Sequence, residues 1–416
     1  MKKSTRLLQL VLLFLIIFCS VVFVSSCGGD EGPGPNDIVV WEGMSDKEFT
    51  ALRSVTEQFK TETGQSVYII KVPFSELKIK YQIAAPAGQG PDLIIGPQDW
   101  IGFFATADLI SPLNKSEFSD EQQGSYNPIA LQNVSYDRKI YGVPMSMETI
   151  AIIYNKKLVP SEPQSMEELL QVASEFDNKD KKQYGFFFEV TNLYYAWPFL
   201  AGYGAEIFGE TNGKLDQNKV LLNSPQTIEG IKFLLEMKTK YDLIPKGATN
   251  DMMNGIFFEK NMPFCLNGPW MLEDVKKQGI DFNVIPIPVL PNGMRPKPFV
   301  GVWAVMLNKQ VRNRTKAVQL IHYLNKPENQ KIICEAGGRI PSRYDALELI
   351  DDKDMTHKFA EAAKYGSPMP NHPAMHAVWE PMNNALTLII NEGKAPDQIM
   401  KMTVDRINED IKIMME

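Results

Sequence analysis

After residue 37 the chain alternates short β-branched runs with stretches of helical period, and this alternation restricts the fold more than any other feature. The segment "DIVVWEG" reads as a strand, "KEFTALRSVTEQFKTETG" as an amphipathic helix ended by Gly64, and "SVYIIKV" as the next strand. Strand, crossover helix and strand make a βαβ unit, so an α/β fold with a mainly parallel sheet is expected. The alternation continues through "PDLIIG", "IAIIYNKKL", "SMEELLQVASEF" and "YGFFFEV". A helix follows around "TIEGIKFLLEMKTKY", then strands in "MPFCLNG" and "FNVIPIPVL" and a helix around "TKAVQLIHYLNK". From about "MHAVWEPMNNALTLIINEG" to the end the pattern is helical, and no internal repeat is visible.

A chain of 416 residues with 44% hydrophobic content is too long for one compact core and should split into two lobes. The segments "GVPMSMET", "PFVGVWAV" and "GGRIPSRY" each join a glycine or proline turn to an apolar run. Three such crossings assign residues 37–145 and 303–342 to an N-terminal lobe, and residues 146–302 and 343–416 to a C-terminal lobe. Interleaved lobes joined by a multi-crossing hinge leave a cleft at the carboxyl ends of the parallel strands, where ligands bind in open α/β sheets.

The N-terminal residues stand outside this pattern. Lys2, Lys3 and Arg6 precede the apolar run "LLQLVLLFLIIFCSVVFV", and small residues then lead into Cys27. Positive end, apolar core and small-residue exit make residues 1–26 an export signal. The order Ser25, Ser26, Cys27 resembles a bacterial lipobox, in which the cysteine thiol takes a diacylglycerol and becomes the mature N-terminus. An uncleaved membrane helix is the alternative, and both readings put the chain outside the cytoplasm. Residues 27–36 then form a polar tether, anchored to the membrane through lipid.

Charge and motifs narrow the function classes. A net charge of −7 without a long basic run argues against a nucleic-acid partner. Four cysteines at unrelated spacings give neither a disulfide framework nor a zinc signature, and Cys265 and Cys334 read as buried free thiols. His372 and His376 stand four apart, but Pro370 and Pro373 delay the helix on which such a pair would bind metal. Nucleophile elbow, phosphate loop, zinc-protease and dinucleotide motifs are all missing from the sequence, so no cofactor, no metal and no enzymatic activity is expected. A surface glycoside hydrolase remains a rival, because the carboxylate separation it needs is spatial. A structural or adhesion lipoprotein is a second rival.

From residue 37 onward the chain resembles the maltose/maltodextrin-binding proteins of bacterial ABC importers, within the extracellular sugar-binding family. The resemblance rests on "GPDLIIGPQD", "IIYNKKL", "WPFLAGYGAEIF", "NGPW", "KPFVGV" and "MPNHPAMHAVW", in the same order. It implies a two-lobed periplasmic-binding-protein fold, a monomer, a maltose or maltodextrin ligand and membrane permease subunits as partners. It also implies stacking platforms for glucose rings at Trp270, Trp379 and Tyr194. A pyranose has an apolar C–H face that packs on an aromatic face, and its hydroxyls ring the edge. Taken alone, Trp270 would more often be core.

The hydroxyl rim then needs polar partners, since each buried polar group left unpaired costs roughly 1–3 kcal/mol. By the same resemblance these are Asp46, Lys47, Asp99 and Glu148. Glu148 is the strongest, because it sits at a lobe crossing beside an apolar strand and a carboxylate there needs a partner. The chain also departs from the family pattern. Gly96 stands where a Trp is common, and Trp100, where an Arg clamp is expected, offers a ring from a new direction. Asn192 replaces a Glu, and Glu380 and Asn383 replace a Tyr and an Arg. The sugar class is therefore better supported than the exact sugar.

Overall fold

In the computed structural model, residues 32–211 and 214–415 are described. The export segment and Cys27 lie outside the described residues.

The N-terminal part builds as the alternation predicts. Strand β1 (Ile38–Glu42) leads into helix α1 (Asp46–Thr63), which opens on a capping box between Ser45 and Glu48. It ends at Gly64 with φ 72°, a left-handed stop that a residue with a Cβ resists. Strand β2 (Val67–Lys71), helix α2 (Phe74–Ala84) and strand β3 (Leu93–Pro97) follow. Both β2 and β3 pair with β1 in parallel.

The next elements carry the chain between two sheets. Strand β4 (Gly142–Glu148) belongs to the large sheet, and β5 (Ala151–Asn155) begins after only Thr149 and Ile150. Beyond helix α3 (Leu193–Gly202), strands β6 (Phe264–Asn267) and β7 (Phe282–Ile285) flank β5 in a small antiparallel sheet. Helix α4 (Leu272–Lys277) lies between them in sequence. Strand β8 (Phe299–Asn308), buried along its whole length, returns to the large sheet, followed by helices α5 (Arg314–Leu324) and α6 (Pro327–Gly337) and strand β9 (Ile340–Pro341). The C-terminal helices α7 (His376–Leu386) and α8 (Pro396–Met415) close the fold.

The main path of the large sheet runs β9–β4–β8–β3–β1–β2. The expectation of a mainly parallel sheet does not hold: β8 is antiparallel to both β3 and β4, β9 is antiparallel to β4, and the small sheet is antiparallel throughout. The reason is connectivity. β8 arrives from the small sheet and enters opposite to β3, a direction that a strand's residue pattern does not encode. "YGFFFEV" is another difference. Phe186, Phe187 and Phe188 are buried, yet the segment forms no strand and fills the core as irregular chain.

Two sheets linked by chain that passes out through β4–β5 and back through β8 make a two-lobed, interleaved α/β fold. A hydrogen bond ties the crossings together: Thr149 Oγ1 donates to the Phe299 carbonyl at 2.9 Å.

Candidate functional site

Five rings gather where the crossings meet the small-sheet side. Tyr194 and Trp197 lie one turn apart on α3, and Phe299 is the first residue of β8. Trp270 stands in a short 3-10 turn (Pro269–Met271) after β6, and Trp379 projects from α7. Ring centroids are 6.4 Å apart for Trp270–Tyr194, 6.4 Å for Tyr194–Phe299 and 5.0 Å for Phe299–Trp197, the last pair within 5° of parallel. Trp379 meets Phe299 edge-on at 6.0 Å. The structure thus joins all three rings expected from the sequence and adds Phe299 and Trp197. Trp270 is 37% exposed, whereas Trp379 is half-buried against the core.

Local chemistry fixes the helix that carries Tyr194. Asn192 caps it by accepting from the Tyr194 N–H at 3.1 Å, and Asn383 of α7 accepts from the Leu193 N–H at 2.8 Å. Two of the departures from the family pattern therefore satisfy helix-end donors. The Tyr194 hydroxyl and the Trp197 Nε1–H are buried without partners among the described residues. Such groups gain from a polar ligand. A cavity of about 390 Å³ opens beside Trp197 and Phe299, rimmed by Glu206, Glu210 and Lys297.

The polar candidates divide. Glu148, at the end of β4, pairs with Arg339, which also pairs with the buried Glu48 of α1 and lies 4.6 Å over the Trp303 ring. Gly301 stands opposite Glu148 in register, and a Cβ there would approach the Glu148 Cγ to 3.1 Å, so the strand leaves room for this carboxylate. Burial raises Glu48, but the charge and hydrogen bonds of Arg339 and Ser45 outweigh it and hold the carboxyl below its usual range. Asp99 is partly buried, and burial pushes it up to about 6 against the opposing charge of Lys78. Lys78 in turn lies 2.8 Å from His376 Nδ1. Burial, then the Lys78 charge, push His376 down to about 4, so its ring is neutral and accepts.

Asp46 and Lys47 sit at the exposed start of α1. Asp46 pairs with Lys71, and Lys47 pairs with Glu273 on α4, one turn past Trp270. Trp100 is 5% exposed, and its ring covers Gly96 and stacks under Phe74 at 5.7 Å, so the face left open belongs to Phe74. Sequence reasoning missed Phe74, Phe299, Trp197 and Arg339. The Arg339 pairing joins residues 48, 148 and 339, a separation at which no local pattern exists. Cys265 and Cys334 are free and buried, and the described residues hold no cluster of three potential metal ligands.

Residues 54–364 match the family described as bacterial extracellular solute-binding protein. The maltotriose-binding protein of Pyrococcus abyssi is 30% identical over 370 residues, covering 88% of this chain and 80% of that protein. The galactooligosaccharide-binding protein of Bacillus subtilis is 25% identical over 416 residues, covering 96% of this chain and 97% of that protein. The solved Thermus thermophilus maltotriose-binding protein bound with maltotriose shares 31% identity at a TM-score of 0.81, covering 90% of this chain and 100% of that chain. Crossing strands, a ring row at the crossings and these likenesses lead to one conclusion: the chain belongs to the bacterial extracellular solute-binding protein family.

Proposed function

We propose that the protein is the lipid-anchored substrate-binding component of an ABC importer, which captures maltose or maltodextrins by hinge closure and delivers them to membrane permease subunits. The observation that carries this reading is the set of rings Trp270, Tyr194 and Trp379, joined and backed by the buried rings of Phe299 and Trp197. Flat rings with an accessible face suit the C–H faces of glucose units.

In this mechanism the sugar stacks first on Trp270, Tyr194 and Trp379. Glu148 stands at the crossing on the same lobe as the rings, and Asp46, Lys47 and Asp99 supply the remaining hydrogen bonds as the lobes, 37–145 with 303–342 and 146–302 with 343–416, close about the crossings. Trp100 contributes from below the surface, as support for Phe74. Lys47, already paired with Glu273 beside Trp270, favours the closed state by joining α1 to α4. The permease recognises that closed shape, and the Cys27 lipid keeps the protein at the membrane.

Small-angle scattering tests the closure: maltotriose should reduce the radius of gyration, and an unchanged radius counts against transport. Maltoheptaose incubated in excess with the protein should remain intact, and its hydrolysis would favour the enzyme reading. Metabolic labelling with a tagged fatty acid should mark the protein and be lost in Cys27→Ala, and labelling kept in that variant would count against the lipid at Cys27. A second reading, capture of a different oligosaccharide, draws on the altered rim at Gly96, Trp100 and Asn192 and on the galactooligosaccharide-binding relative.

A further inference from the structure

Phe74 is the first residue of α2, directly after Pro73 and the carboxyl end of β2, which is the ligand end of an open α/β sheet. It is 50% exposed, yet its ring is held from behind by two tryptophans. Trp100 lies 5.7 Å away at 19°, and Trp303 lies 5.6 Å away at 36°. Two buried rings that hold a third with one face open make a platform, unlike a singly exposed apolar residue with no fixed face.

Contacts on both sides tie the seat of this platform to the elements that carry the ring row and the crossing. Lys78, one turn after Phe74 on α2, reaches His376, which lies one turn before Trp379 on α7. On the other side, Trp303 is covered by Arg339, the partner of Glu148 at the crossing. The seat depends on two glycines. A Cβ at Gly96 would meet Trp100 at 2.7 Å, and one at Gly43 would meet the Phe74 backbone at 3.1 Å.

We infer that Phe74 is a sugar-stacking residue of the N-terminal lobe, which packs on a pyranose held by the Tyr194, Trp270 and Trp379 rings. This rests on the oligosaccharide-binding reading above. Closure then places a ring from each lobe against the ligand, so Phe74 contributes most to the closed, long-lived complex.

The test is titration of maltotriose and maltotetraose into the purified wild-type protein, Phe74→Ala, Phe74→Leu and Phe74→Tyr. Leucine keeps apolar contact with Trp100 but has no flat face, and tyrosine keeps the face. Alanine and leucine should each weaken binding roughly tenfold, while tyrosine stays within about threefold of wild type. Ligand-free melting should change little, since half of the ring is already in water. Wild-type affinity in the leucine variant overturns the platform while leaving the sugar reading intact. A wild-type protein that binds neither sugar overturns both.

Discussion

Trp100 occupies the space above Gly96: a Cβ built on that glycine would stand 2.7 Å from the indole Cζ3 and 2.9 Å from Cε3. The absent side chain at position 96 and the ring at position 100 are therefore one packing arrangement. Gly96→Ala should force the indole outward and cost about 1–3 kcal/mol, the usual price of overpacking. Sugar affinity should fall with it, because Phe74 rests on the displaced ring. Urea unfolding and titration measure the two effects. A variant as stable as wild type with unchanged affinity would show that Trp100 has room to move.

Arg339 is the cation between Glu48 and Glu148, and both Arg339 and Glu48 are almost fully buried. Arg339→Met keeps the volume and leaves the two carboxylates without their partner. Loss of about 3–5 kcal/mol is expected, because the uncompensated charges cost more than the pair contributed. Adding Glu48→Gln to the same chain should restore part of the loss. No recovery would mean that the arginine acts by packing on Trp303 alone.

Burial pushes Glu42 at the end of β1 up to about 7, with the Met44 N–H and Lys71 opposing. Its value is above the ordinary 4.5, so the folded state binds this proton more tightly than the unfolded state. The associated stability is fully present below about 4.5 and is lost as pH rises through about 7. Glu42→Gln, which carries no such charge, should gain roughly 2–3 kcal/mol relative to wild type between pH 4.5 and 7.5. A difference between the two proteins that stays flat with pH would contradict this.

Asp99 is displaced the same way, to about 6, and its consequence is for ligand. Only the ionised carboxylate accepts from sugar hydroxyls at both oxygens. Maltotriose affinity should drop roughly tenfold between pH 7.5 and 5 as the ligand-free group takes up its proton. In Asp99→Asn the profile should be flatter and the affinity at pH 7.5 lower. An identical pH profile in both proteins would remove Asp99 from the rim.

The parts of the fold that the sequence disclosed are those governed by short-range pattern. The helix closed by Gly64, the strand ending at Pro97 and the helices around Leu320 and Val404 follow from period and capping within a few residues. Strand direction in β8 and the burial of Phe186 to Phe188 without a strand depend on partners far away in the chain, which periodicity does not report. The site divides the same way. Tyr194, Trp270 and Trp379 are candidates that short family motifs suggest, and the structure puts their rings in one contact chain, Trp270 to Tyr194 to Phe299 to Trp379. Phe74, proposed above as a further site residue, follows a proline at a helix start and carries no pattern, and its contacts with two tryptophans appear only in the fold.

The most direct measurement is isothermal titration of the mature chain with maltose, maltotriose, maltoheptaose, β-cyclodextrin, cellobiose and xylobiose. Saturable binding confined to α-1,4-glucans, and weakened by Trp270→Ala and Trp379→Ala in proteins that still fold, is the predicted result. Binding only to a β-linked sugar, or to no sugar, would contradict maltodextrin capture while leaving the fold and family in place.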